Sequence, residues 1–337
     1  MMMAMTSVTL PTRKLGAHGP EVSAIALGCM GMSGMYGQAD ENESVATIHA
    51  ALDAGVNLLD TGDFYGMGHN EMLIGRALRE WGSRDRALLS VKFGALRGPD
   101  NAWIGVDTRP AAMKNFLAYS LRRLGVDYID IYRPARLDPQ VPIEETVGAI
   151  ADLIQAGYIR YLGLSEVGVE TIRRAHAVHP VTDLQIEYAI VSRSPEEKIF
   201  PALEEMGIGV TAYGVLSRGL LSGSKPSGKG DFRSFLPRYS GDNFERNQKL
   251  IADLNAFASA KGITASQLVI AWVLARGGSM VPVLGARKRT QLAETLGALH
   301  VSLSSDELAE LERIVPSNRV AGTRYDARQM QMLDSEK

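Results

Sequence analysis

Short apolar runs alternate with amphipathic stretches along almost the whole chain. Runs at 22–27, 56–59, 87–93, 128–132, 159–164, 183–188, 208–213 and 280–284 have the length and composition of buried strands. Helical patterns follow them at 44–54, 70–81, 110–124, 143–156, 169–178, 196–206, 265–276 and 290–299. Eight strand-then-helix units, with strands apolar on both faces and helical crossovers, predict a parallel (β/α)8 TIM barrel of the α/β class. An open doubly wound sheet is the competing topology. Residues 12–24, with Gly16-Ala17-His18-Gly19 at their centre, predict a hairpin plugging the lower end of the barrel. Residues 222–243, rich in Gly, Ser, Pro and Lys, are too long for an ordinary βα connection and read as a lid; Lys225, Lys229 and Arg233 in it also suit plain solvated charges. The expected organisation is one barrel domain over residues 1–337, with residues 1–8 disordered and a C-terminal tail over the rim.

Composition supports this picture. With 337 residues, 45% of them hydrophobic, the chain can bury a large core. A formal charge of −2 and no long basic run leave no electrostatic footprint for nucleic acid or an anionic membrane. The one cysteine, Cys29, excludes an internal disulfide and has no flanking base, so it reads as a small buried residue. No signal-like segment and no run of 18 apolar residues is present, which predicts a soluble, cytoplasmic protein acting on small molecules. No metal site is read.

Candidate chemistry begins at Leu59-Asp60-Thr61-Gly62-Asp63-Phe64-Tyr65-Gly66 and at Lys92 in the next apolar run. A lysine inside an apolar strand is costly unless a carboxylate pairs with it, and Asp60 is the natural partner. An ammonium beside a phenol stabilises phenolate and lowers the phenol's pKa, so Tyr65 becomes a usable general acid for a carbonyl. Taken singly, each residue has a dull explanation: a loop cap, loop packing, a surface lysine. Asp60, Tyr65, Lys92, Ser165, Gln185 and Tyr213 all fall at strand ends on the side where such barrels carry their active sites. No Gly-x-Gly-x-x-Gly opens a helix and no Gly-x-x-x-x-Gly-Lys-Ser/Thr occurs, so neither a Rossmann unit nor a P-loop is indicated.

The stretches LLDTGDFYGMGHNEMLIGRAL, SVKFG, YIRYLGLSEV, LQIEYAIVSR, GVTAYGVLSRGLLSG and VPVLGARKRTQLAETLGAL occur in order along the chain. In these the sequence resembles the aldo-keto reductase superfamily, barrels that bind a nicotinamide dinucleotide across the rim without a Rossmann fold. The resemblance implies that Asp60, Tyr65 and Lys92 are three of four catalytic residues, with Tyr65 as acid in reduction and base in oxidation. The fourth departs: Ala135 in Arg133-Pro134-Ala135-Arg136 stands where a substrate-orienting histidine is expected. An oxyanion would lose one donor there, an effect of roughly a hundredfold or more elsewhere. Arg133 shares strand parity with Ala135, so Arg133 or a water is a candidate for that donor; an ordinary buried pair with a carboxylate is the favoured reading of Arg133.

The resemblance further implies Ser165, Glu166 and Gln185 around the nicotinamide carboxamide and Tyr213 stacked on the ring. Met30, Gly31 and Gly214 would touch the same cofactor. Leu216, Ser217, Arg218 and Leu220 would follow the pyrophosphate, and Leu284, Gly285, Arg287, Gln291, Glu294 and Thr295 would hold the adenosine end. Gln291 and Thr295 depart from the residues usual at the 2′-phosphate, whereas Arg287, Lys288 and Arg289 form a cationic patch at a helix start. NADPH is therefore the expected cofactor, with NADH as the alternative. Tyr65, Trp103, Arg133 and Ala135 are the expected substrate contacts, with the tail 319–333 nearby and Met30, Met32 and Met35 lining a pocket or filling core. The expected function is reduction of a small aldehyde or ketone. A nicotinamide-binding regulatory protein, resembling the potassium-channel β-subunit branch, is the alternative that Ala135 permits. Which carbonyl is reduced, the direction in the cell and the number of subunits are left open.

Overall fold

A computed structural model describes residues 10–226 and 231–337. Eight parallel strands close into a barrel: β3 (Ala26–Gly28), β4 (Leu58–Gly62), β5 (Leu88–Phe93), β8 (Ile129–Pro134), β9 (Ile159–Ser165), β10 (Val181–Glu187), β11 (Gly209–Tyr213) and β12 (Met280–Gly285), with β12 pairing back onto β3. The helices α1 (Glu41–Asp53), α2 (His69–Trp81), α3 (Pro110–Leu124), α4 (Ile143–Gln155), α5 (Val169–Val178), α6 (Ile199–Glu205), α8 (Ala265–Leu274) and α9 (Arg289–Gly297) form the crossovers. The chain is thus a (β/α)8 barrel, and the open sheet is excluded by closure. Among the described residues no single helix is long and apolar enough to cross a membrane.

Strands β1 (Thr12–Lys14) and β2 (Glu21–Ser23) form the hairpin under the barrel. Gly16 has φ +70, and an added Cβ would lie 2.5 Å from Thr182 O and 2.8 Å from Gly209 N, so only glycine lets the turn press against the starts of β10 and β11. Leu15 and Val22 join Ala26, Leu58, Ile131, Val281 and Val283 in an apolar cluster. Residues 22–27 are therefore not one strand: Val22 belongs to the hairpin and the barrel strand starts at Ala26.

Other differences lie at strand ends and in the C-terminal third. Strands β4 and β8 run past their apolar cores to Gly62 and Pro134, because ladder bonding continues where inward side chains become polar. The predicted lid splits. Its described part contains two short 3-10 turns, and from Gly241 it is the start of the 20-residue α7 (Gly241–Ala260), which buries Asn247, Ile251, Leu254 and Ala258. Residues 227–230 of that loop, like the N-terminal 1–8, lie outside the described residues. Helix α10 (Ser305–Ile314) starts with a capping box in which Ser304 and Glu307 satisfy each other's backbone amides. After it the tail, with α11 (Ala327–Gln331), crosses the rim.

Candidate active site

Inward positions of the strands form layers, as period-two alternation requires. Above the apolar floor lie Ser90, Arg133, Asp183 and Thr211, and two residues further along the same strands come Lys92, Ala135, Gln185 and Tyr213, with Asp60 joining from β4. The upper inward positions are polar, so the expectation of strands apolar on both faces holds only for the lower barrel.

Asp60 is the hub. Lys92 Nζ donates to its Oδ1 at 2.5 Å, while Oδ2 accepts from Gln185 Nε2 at 2.7 Å and Ser90 Oγ at 2.9 Å. Lys92 Nζ also lies 5.2 Å from the centre of the Tyr65 ring. The Tyr65 hydroxyl has no hydrogen-bond partner among the described residues, although the side chain is only 7% exposed. Burial, followed by the charge of Asp60 and the neighbouring Tyr36 and Tyr325, pushes the Tyr65 phenol well above its ordinary pKa, with Arg136 opposing. This corrects the expectation of a lowered phenol: desolvation of phenolate outweighs the neighbouring cations. Burial also pulls Lys92 down, with Asp60 acting against it and Arg133 and Arg136 in its favour.

Arg133 is not a substrate donor. Fully buried, it donates through Nη1 to Asp183 Oδ2 at 2.8 Å, Thr211 Oγ1 at 3.3 Å and Leu164 O at 3.3 Å, and through Nη2 to Ser90 Oγ at 3.1 Å. The buried carboxylate captures the guanidinium one layer below Ala135, and Gly163 makes the room, since a Cβ there would lie 2.9 Å from Arg133 Cζ. Beside Ala135 is Arg136 instead, whose Nη1 donates to the Ala135 carbonyl at 2.6 Å.

Glu166, expected at the carboxamide, is consumed by the tail. Its oxygens accept from Arg324 Nη1 and Nη2 (2.8 and 2.6 Å), Ser335 Oγ (2.7 Å), Tyr213 Oη (2.7 Å) and the Glu187 amide (2.9 Å). Burial acts to raise this carboxyl, but Arg324 and the other donors outweigh it and hold it at about 2. Arg218, expected along the pyrophosphate, pairs with Glu187 at 2.7 Å and sits 4.4 Å from the centre of the Tyr325 ring. Ser217 Oγ accepts from Arg238. Ser165 and Gln185 are different: they face each other across β9 and β10, and the Ser165 hydroxyl and Gln185 Oε1 have no partner among the described residues. Tyr213 Oη also meets Tyr325 Oη at 3.0 Å.

The remaining expected cofactor residues follow neighbouring strands around the rim. Met30 and Gly31 open the 3-10 turn after β3, Gly214, Leu216 and Leu220 follow β11, and Leu284 and Gly285 end β12. Gly285 is exposed, and a Cβ added there would meet nothing nearer than Gly28 O at 3.9 Å. Arg287 donates to the carbonyls of Tyr36, Gly37 and Gln38, its amide donates to Gln291 Oε1, and Arg289 pairs with Glu43 at 2.8 Å. Glu294 and Thr295 lie on α9, Thr295 buried. Trp103 lies on the hairpin of β6 (Ala95–Arg97) and β7 (Trp103–Val106) beyond β5. Sequence reasoning missed Arg136, Glu187 and Arg324 as site residues. Glu187 ending an apolar strand was a readable signal of the kind used for Asp60.

A family model described as Aldo/keto reductase family matches residues 24–316. A probable aldo-keto reductase from Glycine max is 39% identical over 327 residues, covering 95% of this chain and 93% of that protein. The structure of a glycerol dehydrogenase from Gluconobacter oxydans is similar at TM-score 0.82 and 31% identity, over 96% of this chain and 99% of that one. An aldo/keto reductase from Klebsiella pneumoniae, in complex with NADP and acetate, is similar at TM-score 0.72 and 28% identity, over 94% and 99%.

Proposed function

The chain belongs to the aldo/keto reductase family and is on that ground an oxidoreductase of carbonyl compounds, and we propose that it reduces a small aldehyde or ketone with NADPH, Tyr65 giving the proton. One observation carries this reading: a phenol without an internal partner beside a buried Lys92–Asp60 pair. Nicotinamide, when bound, supplies a hydride to the carbonyl carbon. Tyr65 Oη gives its proton to the carbonyl oxygen, and Lys92 stabilises the phenolate left behind. Asp60 holds Lys92 oriented and is itself held by Gln185 and Ser90.

Ser165 and Gln185 fit the cofactor's carboxamide, offering one free hydroxyl and one free carbonyl oxygen. Glu166 does not fit that role, because its oxygens are taken by Arg324, Ser335 and Tyr213. NADPH is favoured over NADH by the NADP bound to the Klebsiella relative and by Arg287 and Lys288 before α9, Arg289 being paired with Glu43. Because burial keeps Tyr65 protonated through neutral pH, reduction should be flat there and fall on the alkaline side, while alcohol oxidation should rise with pH.

The test is oxidation of NADPH and NADH with a panel of small aldehydes and ketones, on wild type and Tyr65→Phe. Turnover that prefers NADPH and falls at least a hundredfold in the variant is expected. No turnover with nucleotide binding intact would overturn the enzymatic reading in favour of a nicotinamide-binding regulator.

A further inference from the structure

We propose that the cavity between the tail and the rim recognises a carbonyl compound carrying a carboxylate next to the reacting carbon, a small 2-oxo acid, with Arg136 as its counter-ion. This rests on the reading of Tyr65 as the proton donor. The cavity has a volume of about 180 Å³ and is lined by Trp103, Arg136, Tyr325, Asp326, Arg328 and Gln329 among others, so two guanidinium groups stand beside one carboxylate, which caps the Gln329 amide. That is room for roughly six water-sized groups, enough for a short acid.

Its charge balance is unusual for this rim. Arg218, Arg233, Arg238 and Arg324 each pair with a carboxylate of the chain. Arg136 pairs with none among the described residues; its one hydrogen bond goes to the Ala135 carbonyl through Nη1. The rest of its planar fork is left for a planar anion, which a guanidinium binds bidentately. Two further groups in the wall are buried without partners, the Trp103 Nε1 donor and the Gln329 Oε1 acceptor. Both atoms are closed off from solvent, so the contact this wall offers an anion is the Arg136 fork.

Position connects this anion site to the chemistry. Arg136 follows Ala135 directly and bonds its carbonyl, and Tyr325 in the cavity wall meets at 3.0 Å the hydroxyl of Tyr213, which shares an inward layer with Lys92. An alanine cannot orient a carbonyl, but a cation gripping the adjacent carboxylate orients it through one C–C bond. Arg136 therefore supplies, through the substrate's own acid group, the positioning that Ala135 lacks.

The experiment compares a four-carbon 2-oxo acid with its methyl ester as substrates for wild type, Arg136→Met and Arg136→Lys, alongside calorimetric titration of oxamate with and without NADP. The expected result is a wild-type preference for the acid that falls at least tenfold in Arg136→Met, mainly through KM, and is partly kept in Arg136→Lys. Oxamate binding should weaken at least tenfold in Arg136→Met. An unchanged acid-to-ester ratio, equal oxamate binding by both proteins, or no oxamate binding to wild type would overturn the proposal. If neither acid nor ester turns over while Arg136→Met still abolishes oxamate binding, the reductase reading fails and the anion site stands.

Discussion

Two buried cation–carboxylate pairs lie one layer apart inside the barrel, Lys92–Asp60 above and Arg133–Asp183 below. Both have a carboxylate tied to a hydroxyl, Ser90 for Asp60 and Thr211 for Asp183, and the Ser90 hydroxyl links the layers by accepting from Arg133. The cations differ. Arg133 donates to four protein acceptors, whereas Lys92 has one acceptor among the described residues and faces a phenol whose hydroxyl has no partner among them. The lower pair also leaves Arg133 Nε and Asp183 Oδ1 without partners, but both side chains are sealed in the interior, whereas Lys92 is left toward the unpartnered phenol, and that is where a buried charge has a capacity for chemistry.

Removing one member of the lower pair should have the largest effect. Arg133→Met leaves Asp183 unpaired in the interior, and urea unfolding should show a loss of about 3–5 kcal/mol. Replacing both, Arg133→Met with Asp183→Leu, should recover most of that loss; no recovery would mean the two layers act as one network. In the upper pair, Lys92→Met should lower kcat about a hundredfold, with a smaller stability loss than Arg133→Met because Gln185 and Ser90 still hold Asp60. Equal stability losses would erase the distinction between the pairs. Gly163→Ala should cost about 1–3 kcal/mol by crowding the lower pair and Ile131, leaving KM for the carbonyl unchanged.

The smallest expected effect concerns Asp63, just beyond the upper layer. Burial, then Glu71, raises its carboxyl to about 7, with Arg123 opposing. A carboxyl raised on folding favours the folded state below its unfolded value, near 4, and that benefit is lost as pH rises through about 7. Asp63→Asn should therefore flatten the fall in melting temperature between pH 5 and 8; an unchanged slope would count against this assignment.

The barrel was legible because each strand–helix unit writes its own period into the sequence, and Asp60 and Lys92 because charged residues interrupt apolar runs. The pairing of Arg133 with a buried carboxylate was legible too, but the identity of that carboxylate was not. The parity of Arg133 with Ala135 is correct, but which acid captures it depends on β10, fifty positions away, and on the missing side chain at Gly163. Glu166 carries the right residue type at the right strand end, yet its oxygens are decided by Arg324, 158 positions later. Helix α10 had a local signal in Ser304-x-x-Glu307 that periodicity alone passes over. Arg136 stood next to the anomaly in the sequence, but only the fold shows that no acid among the described residues pairs with it.

The plug beneath the barrel has a consequence for the order of assembly. Arg13 donates to the carbonyls of Leu274, Gly277 and Met280, contacts up to 267 positions apart, and Gly16 nests against Gly209. A chain emerging from the ribosome makes its hairpin first and receives the surface that hairpin must seal almost last. Until β12 arrives to join β3, the floor stays open and the edges of both strands stay unpaired. Such long-range closure makes slow folding intrinsic to this topology, and the N-terminal hairpin is then the latch whose setting marks its completion.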